Sequence, residues 1–249
     1  VAVLKATSAT GNVKTAFNAL QLMKERNLPM NRYVYTGLIN TYAAACKQVG
    51  LAPELMTEYK KDAWTLFKQA EEKGMVNGYT VDSLMLVHVN ARDMDTVEGA
   101  ILPIYENKQL LMNSNTYEIL LKGYDNTMEL PKIVRIYEKI KDNIALMNTN
   151  SMNIILQTFI RLKDQDNVEV MLGQFLEYQR RPKALLLHSL GNSMNISENL
   201  YVLLHKFDKK YGIIKSRRFK VKTHVEPYYP YGEIPRARSK AAIRMNKRH

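Results

Sequence analysis

The sequence predicts an all-α chain, a solenoid of stacked helical hairpins that ends in a basic tail. Three observations predict it. Two stretches 35 residues apart, Leu111-Met-Asn-Ser-Asn-Thr-Tyr-Glu-Ile-Leu-Leu121 and Leu146-Met-Asn-Thr-Asn-Ser-Met-Asn-Ile-Ile-Leu156, are near-copies. Self-similarity at such a period is the signature of a repeat array. Apolar residues recur at helical spacing, as in Tyr117, Leu120, Leu121 and Tyr124, and no long β-branched alternating run or hairpin turn signal interrupts them. The net charge of +12 is unevenly placed: residues 213–249 hold 11 basic and two acidic groups, leaving 25 and 22 in residues 1–212. The body is nearly neutral, and the tail carries the field.

Aligning Tyr35, Val81, Tyr117 and Met152 places four first helices at intervals of 46, 36 and 35 residues. The long first interval implies an insertion, expected at about 47–60, where Gly50 and Pro53 sit. A second helix follows in each unit. Asp95-Thr-Val-Glu98 and Asp166-Asn-Val-Glu169 lie 71 residues apart and read as Asp-capped helix starts with Glu three residues on. Pro131 stands at the equivalent place of the intervening unit, where a first helical turn accepts it. The pairs Asp93/Asp95 and Asp164/Asp166 could suggest a metal-dependent nuclease, but matched turn positions favour capping. Trp64, Leu66, Phe67, Ile104, Tyr105, Ile136 and Tyr137 fall on the second helices and are expected to form the core between units. The thirteen methionines fill gaps in that core rather than forming a ligand box. One hairpin cannot bury its apolar face alone, so neighbours must stack into a superhelix with a concave surface.

Composition excludes several classes. A 46% hydrophobic fraction fits a folded chain, and no apolar run approaches the roughly 18 residues of a membrane span. Cys46 is the one cysteine, a packing residue that favours a reducing compartment. The histidines at 88, 188, 205, 224 and 249 lack metal-ligand spacing. No phosphate-cradling glycine loop or nucleophile elbow is present, so neither an enzymatic activity nor a cofactor, metal or small-molecule substrate is expected. Asn195-Ile-Ser197 matches a glycosylation acceptor at chance level; Ser197 is expected instead to cap a helix over Leu200–Tyr211.

The local wording matches one repeat family. Ala19-Leu-Gln-Leu-Met-Lys-Glu-Arg-Asn-Leu-Pro-Met-Asn31 closely resembles the second helix and repeat end of the pentatricopeptide repeat, and Arg32-Tyr-Val-Tyr-Thr-Gly-Leu-Ile-Asn-Thr-Tyr42 the next first helix. The resemblance covers about residues 12–182, with a degenerate last unit at 183–212. The tetratricopeptide repeat, of about 34 residues, fits less well, because its small residues and Pro near the repeat end are not evident. The resemblance implies a right-handed α-solenoid of helix-turn-helix repeats over residues 1–212 that binds single-stranded RNA, usually in mitochondria or chloroplasts, at one base per repeat. Carried onto this sequence, the base-facing residues of the first helices are Thr36, Asp82, Glu118 and Asn153. Those at the repeat ends are Asn77, Asn113 and Asn148, with Asn31 closing an incomplete first unit. Thr36 with Asn77 resembles a purine-reading pair. Asp82 and Glu118 depart from the family's Thr, Ser or Asn; a carboxylate accepts from a cytosine amino group but repels phosphate. Lys183 stands where Asn or Asp would end the last clear unit. The Asn residues have a second reading, as turn and cap residues that only join hairpins.

The tail, residues 213–249, supplies the remaining candidates. Lys215, Arg217, Arg218, Lys220, Lys222, Arg236, Arg238, Lys240, Arg244, Lys247 and Arg248 suit phosphates, and Tyr228, Tyr229 and Tyr231 suit stacking on unpaired bases. A solvated basic tail, a localisation signal, or a basic amphipathic membrane helix are the alternatives; the prolines disfavour the last. The expected function is a structural RNA-binding subunit of a large organellar ribonucleoprotein, the mitochondrial ribosome in the matrix, with rRNA and neighbouring proteins as partners. A stand-alone RNA processing or stability factor and a protein scaffold are the other two expectations, with the chloroplast as the other address.

Overall fold

The computed structural model describes residues 2–193 and 197–212. Every regular element among them is helical. Ala2–Thr10 pairs with Val13–Glu25, Arg32–Cys46 with Pro53–Glu72, Ser114–Asn126 with Leu130–Ile140, and Thr149–Leu162 with Gln165–Glu177. Between Pro53–Glu72 and Ser114–Asn126, Gly78–Asn90 pairs with a continuous run of Met94–Thr96, a π segment Val97–Ile101, and Leu102–Asn107, which makes this the third of five hairpins in chain order. Two last helices dock separately, Ala184–Ser193 on Thr149–Leu162 and Glu198–Tyr211 on Gln165–Glu177. First helices start at Arg32, Gly78, Ser114, Thr149 and Ala184, so the 46- and 36-residue intervals are followed by two of 35. They stack on one another in chain order as one layer.

Repetition comes from the turns as much as from the helices. Asn27, Gly74, Gln109 and Gln179 each follow a second helix with positive φ, between 52° and 65°. The next N–H in each case returns to the carbonyl five residues back, as in Leu110 to Tyr105 at 2.8 Å. This closure satisfies carbonyls that the helix end leaves open. Arg92, Met128 and Lys163 repeat the device inside hairpins. The fourth hairpin breaks the series because its equivalent residue is Ile144, whose β-branched side chain resists positive φ. There the chain makes a 3-10 turn, Ile144–Leu146, capped by Asn143.

The core is continuous from Ile39 to Phe207, and Phe67, Tyr105 and Tyr137 lie in it as the sequence predicts. Trp64, Leu66, Ile104 and Ile136 pack at its edge. The first hairpin uses a smaller cluster of Leu4, Ala16, Val34 and Leu38. It approaches so closely at Gly11 that a Cβ there would lie 2.7 Å from the Ala45 nitrogen, and φ of 69° also favours glycine. The helix Ala2–Thr10 precedes the region where the repeat is recognisable in sequence. Its small residues carry no apolar stripe, and Thr10 Oγ1 bonds back to the Ala6 carbonyl.

Two expectations about helix starts need correction or refinement, and two others hold. The caps in the third and fifth hairpins are Asp93 and Asp164, whose side chains accept from the Thr96 and Asn167 N–H groups; Asp95 and Asp166 sit inside the first turns. A cap needs a non-helical backbone before the helix, which only the earlier aspartates have. Asp93 also receives Lys60 Nζ at 2.8 Å and pairs with His88 Nδ1 at 3.0 Å. Burial opposes its charge, but those bonds outweigh burial and hold the carboxyl well below the usual range. The extra residues of the second unit form a short link, 47–52, and a lengthened helix that starts on Pro53. Pro131 stands in the first turn of Leu130–Ile140, and Ser197 caps Glu198–Tyr211 through the Leu200 N–H at 3.0 Å. The π segment has a covalent cause. Pro103 has no N–H to bond Gly99 and its ring would crowd that carbonyl, so the turn widens and Leu102 N–H bonds Val97.

Candidate nucleic-acid interface

The repeat-end asparagines all cap first helices. Asn31, Asn77, Asn113 and Asn148 accept from the N–H groups of Val34, Thr80, Thr116 and Ser151 at 2.9–3.2 Å. At Asn113 the exchange is reciprocal, with Thr116 Oγ1 accepting from the Asn113 N–H. Their side-chain oxygens are therefore engaged by the fold. The Asn148 amide still has donors, and one goes to Glu118 Oε2 at 2.5 Å.

The first-helix candidates form a column, and each member reaches toward the next unit. Thr36 Oγ1 lies 3.4 Å from Thr80 Oγ1, which in turn donates to Asn77 Oδ1. Asp82 is only 2% exposed. Its carboxylate accepts from Tyr105 Oη at 2.5 Å and from Asn115 Nδ2 at 2.8 Å. Burial and the Asp82 carboxylate push the Tyr105 phenol above its ordinary range, so it stays a donor. Glu118 accepts from Asn148 and from Asn150 Nδ2 at 3.0 Å. Asn153 is 3% exposed; its Nδ2 donates to the Thr149 carbonyl and its Oδ1 accepts from the Lys183 N–H at 2.8 Å. Lys183 has no side-chain acceptor with which to cap, and Asn153 of the preceding unit supplies one.

A substitution tests this column as a set of structural ties. Asp82→Ala is expected to cost about 2–3 kcal/mol in urea unfolding, the range for lost bonds to a buried carboxylate. The loss stays moderate because Tyr105 Oη keeps the Gly78 carbonyl at 3.3 Å. Asp82→Asn should lose less than half as much, since its oxygen can still accept from Tyr105. Equal losses for both variants would show that the carboxylate's charge, not its bonds, matters.

Sequence reasoning missed a third column at the same intervals: Tyr33, Tyr79, Asn115, Asn150 and Leu185, all exposed. Three positions before the base-facing candidates, it was legible from the spacing alone. Its tyrosines present open aromatic faces, whereas Asn115 and Asn150 serve Asp82 and Glu118. Between these columns lies a groove of about 330 Å³ lined by Thr36, Asn40, Tyr79, Glu118 and Lys122 among others. Among the described residues no His, Cys, Asp or Glu cluster could hold a metal, and no helix is long and apolar enough to cross a membrane. The phosphate and stacking candidates from Lys215 to Arg248 lie outside the described residues.

Comparison with known structures decides the architecture. The PPR domain of Arabidopsis thaliana protein-only RNase P 1, solved in complex with tRNA, superposes with a TM-score of 0.52 at 14% identity, covering 83% of this chain and 95% of that one. The pentatricopeptide repeat protein PPR10 from maize gives 0.51 at 17%, covering 86% and 29%. The chain carries the pentatricopeptide-repeat fold. A pentatricopeptide repeat-containing protein of Arabidopsis thaliana is 24% identical over 199 residues, which are 69% of this chain and 35% of that protein. The chain thus spans about a third of the length of the curated relative it matches. No model of a known protein family matches the sequence.

Proposed function

We propose that the chain is a structural RNA-binding subunit of a large organellar ribonucleoprotein, the mitochondrial ribosome. The observation that carries this reading is a separation of two properties. The column that would read bases is spent on bonds to the next unit at Asp82, Glu118 and Asn153. The cations are concentrated elsewhere, at net +9 in residues 213–249. A protein that selects a sequence needs free polar groups aimed at base edges. A protein that packs into folded RNA needs cations and shape. The tRNA held by the similar domain of RNase P 1 supports RNA as the ligand class.

A stand-alone factor reading a short single strand draws support from one place, where Thr36 keeps a half-buried hydroxyl beside the exposed Tyr79 and Tyr33. Sedimentation of native mitochondrial lysate separates the readings. Co-migration with a ribosomal subunit after a high-salt wash is the expected result. A light, RNase-sensitive particle would replace it with the processing factor, and an RNase-indifferent complex with the scaffold.

A further inference from the structure

The first hairpin, Ala2–Thr10 with Val13–Glu25, leaves open the face on which each later hairpin receives its predecessor. The positive-φ turn residues Gly11, Arg92, Met128 and Lys163 set the first helices in register. Val3 then corresponds to Leu84, Leu120 and Ile155, and Ala6 to Val87, Gly123 and Thr158. All six of those later residues are buried, and a Cβ at Gly123 would lie 3.1 Å from Val89 Cγ2 of the preceding hairpin. Val3 is 49% exposed, and Ala6, one turn along the same face, is exposed with it. The second helices agree. Leu66 and Gln69 line a groove of about 220 Å³ against the preceding Val13–Glu25. Set in register by the turns at Asn27 and Gly74, their counterparts in the first hairpin are Ala19 and Leu22, and Leu22 is 52% exposed. Four apolar positions on two helices thus repeat an inter-hairpin seam that no described residue fills. An open apolar face of this kind marks a contact surface.

We propose that this face docks an acidic amphipathic helix of a neighbouring protein, whose aliphatic stripe covers Val3, Ala6, Ala19 and Leu22. Continuity with the seams of the stack sets the apolar half of that chemistry. Where the same face is filled, aliphatic side chains fill it: Leu4 meets the Gly37 position at 3.3 Å, and Val89 and Met94 meet Gly123. Charge sets the other half. Residues 1–32 hold five basic groups and one acidic, against 20 and 21 in residues 33–212. Lys5, Lys14 and Arg26 on this hairpin are exposed and make no ion pair among the described residues. Arg26 stands one turn beyond Leu22, so a helix seated on the stripe meets cations at its flanks. The same charge opposes a second copy. Two such faces together would set +4 against +4, and the last helix exposes Lys206, Lys209 and Lys210 to any head-to-tail contact. Residues 213–249, at net +9, are repelled likewise. RNA fits poorly, because the four side chains offer neither a donor for phosphate nor a ring for a base. The inference stands apart from the RNA reading above.

The full chain tests this by fluorescence anisotropy with two labelled helical peptides of about 18 residues. Both carry the same leucine stripe, flanked by glutamate in one and by lysine in the other. The glutamate peptide is expected to bind about ten-fold tighter than the lysine peptide at low salt. Leu22→Ser and Val3→Ser should each weaken it by about ten-fold, the loss of one buried aliphatic contact. Phe17→Ser should change nothing, because Phe17 lines the groove on the other side of its helix. These side chains are exposed, so the variants are expected to keep the helical circular dichroism of the parent. Failure of the glutamate peptide to bind, equal binding of both peptides, or full binding by Leu22→Ser overturns the proposal. Two further measurements address the other occupants. A dimer in sedimentation equilibrium that Leu22→Ser disperses would put a second copy on the face. Displacement of the glutamate peptide by a short uridine homopolymer would put RNA there. Either result overturns the protein partner, whereas a monomer whose peptide stays bound in the presence of the homopolymer supports it.

Discussion

Phe159→Ala should lower the unfolding free energy by about 3–5 kcal/mol, the range for a fully buried phenylalanine. Phe159 is 1% exposed and sits on the first helix of the fifth hairpin. Its ring meets Tyr137, from the second helix of the fourth, edge-on at 5.2 Å. Its own carbonyl accepts from the Asp164 N–H across the turn at Lys163. The substitution therefore opens a cavity in the seam between two units. Against a typical total of about 5–15 kcal/mol, the loss should appear as a fall of about 10 °C in the melting temperature followed by circular dichroism. Repeats contact only their neighbours, so hydrogen exchange should speed up first in the fifth hairpin and the two helices beyond it. Equal acceleration from Arg32 onward would show that the stack opens as one unit.

How much of this was legible in the sequence depends on the range of the interaction. The caps Asn31, Asn77, Asn113 and Asn148, the first-helix starts and the buried Phe67, Tyr105 and Tyr137 follow from spacing and residue type, because each depends on neighbours within a turn or two. The start of the third and fifth second helices was placed two residues late, since Asp95 and Asp166 satisfy the same local pattern as Asp93 and Asp164. Only the backbone decides between them. The first helix, Ala2–Thr10, escaped because its docking rests on a close approach at Gly11 and a Thr7–Thr41 contact at 3.0 Å, neither of which has a periodic signature. The site was half legible. Repeat spacing identified Asp82 and Glu118 as a column, but their partners Tyr105, Asn115 and Asn150 stand 23–33 residues away, on other helices. A carboxylate at a base-facing position looks like an altered code in one dimension. In three dimensions it is a clasp between units.

Removal of residues 213–249 should then separate the fold from most of the RNA affinity. The described residues close a core of their own and are expected to stay folded without them. Its core closes on Leu204 and Phe207, and the last helix ends at Gly212 in left-handed geometry, with its N–H bonded to the Asp208 carbonyl at 2.8 Å. Helical circular dichroism and melting temperature are expected to stay within a few degrees of the full chain. Binding to folded rRNA fragments should behave otherwise. If about six of the eleven cations in 213–249 meet phosphates, affinity of the full chain falls by roughly three orders of magnitude between 50 and 200 mM salt. The shortened chain should show a much smaller slope, and should fail to stay on a ribosomal subunit through a high-salt wash. Retention of the full slope would assign the phosphate contacts to the solenoid and remove the basic stretch from the proposed function. Loss of the slope with stable retention on the subunit would make protein neighbours, bound through the helical surface, the anchor.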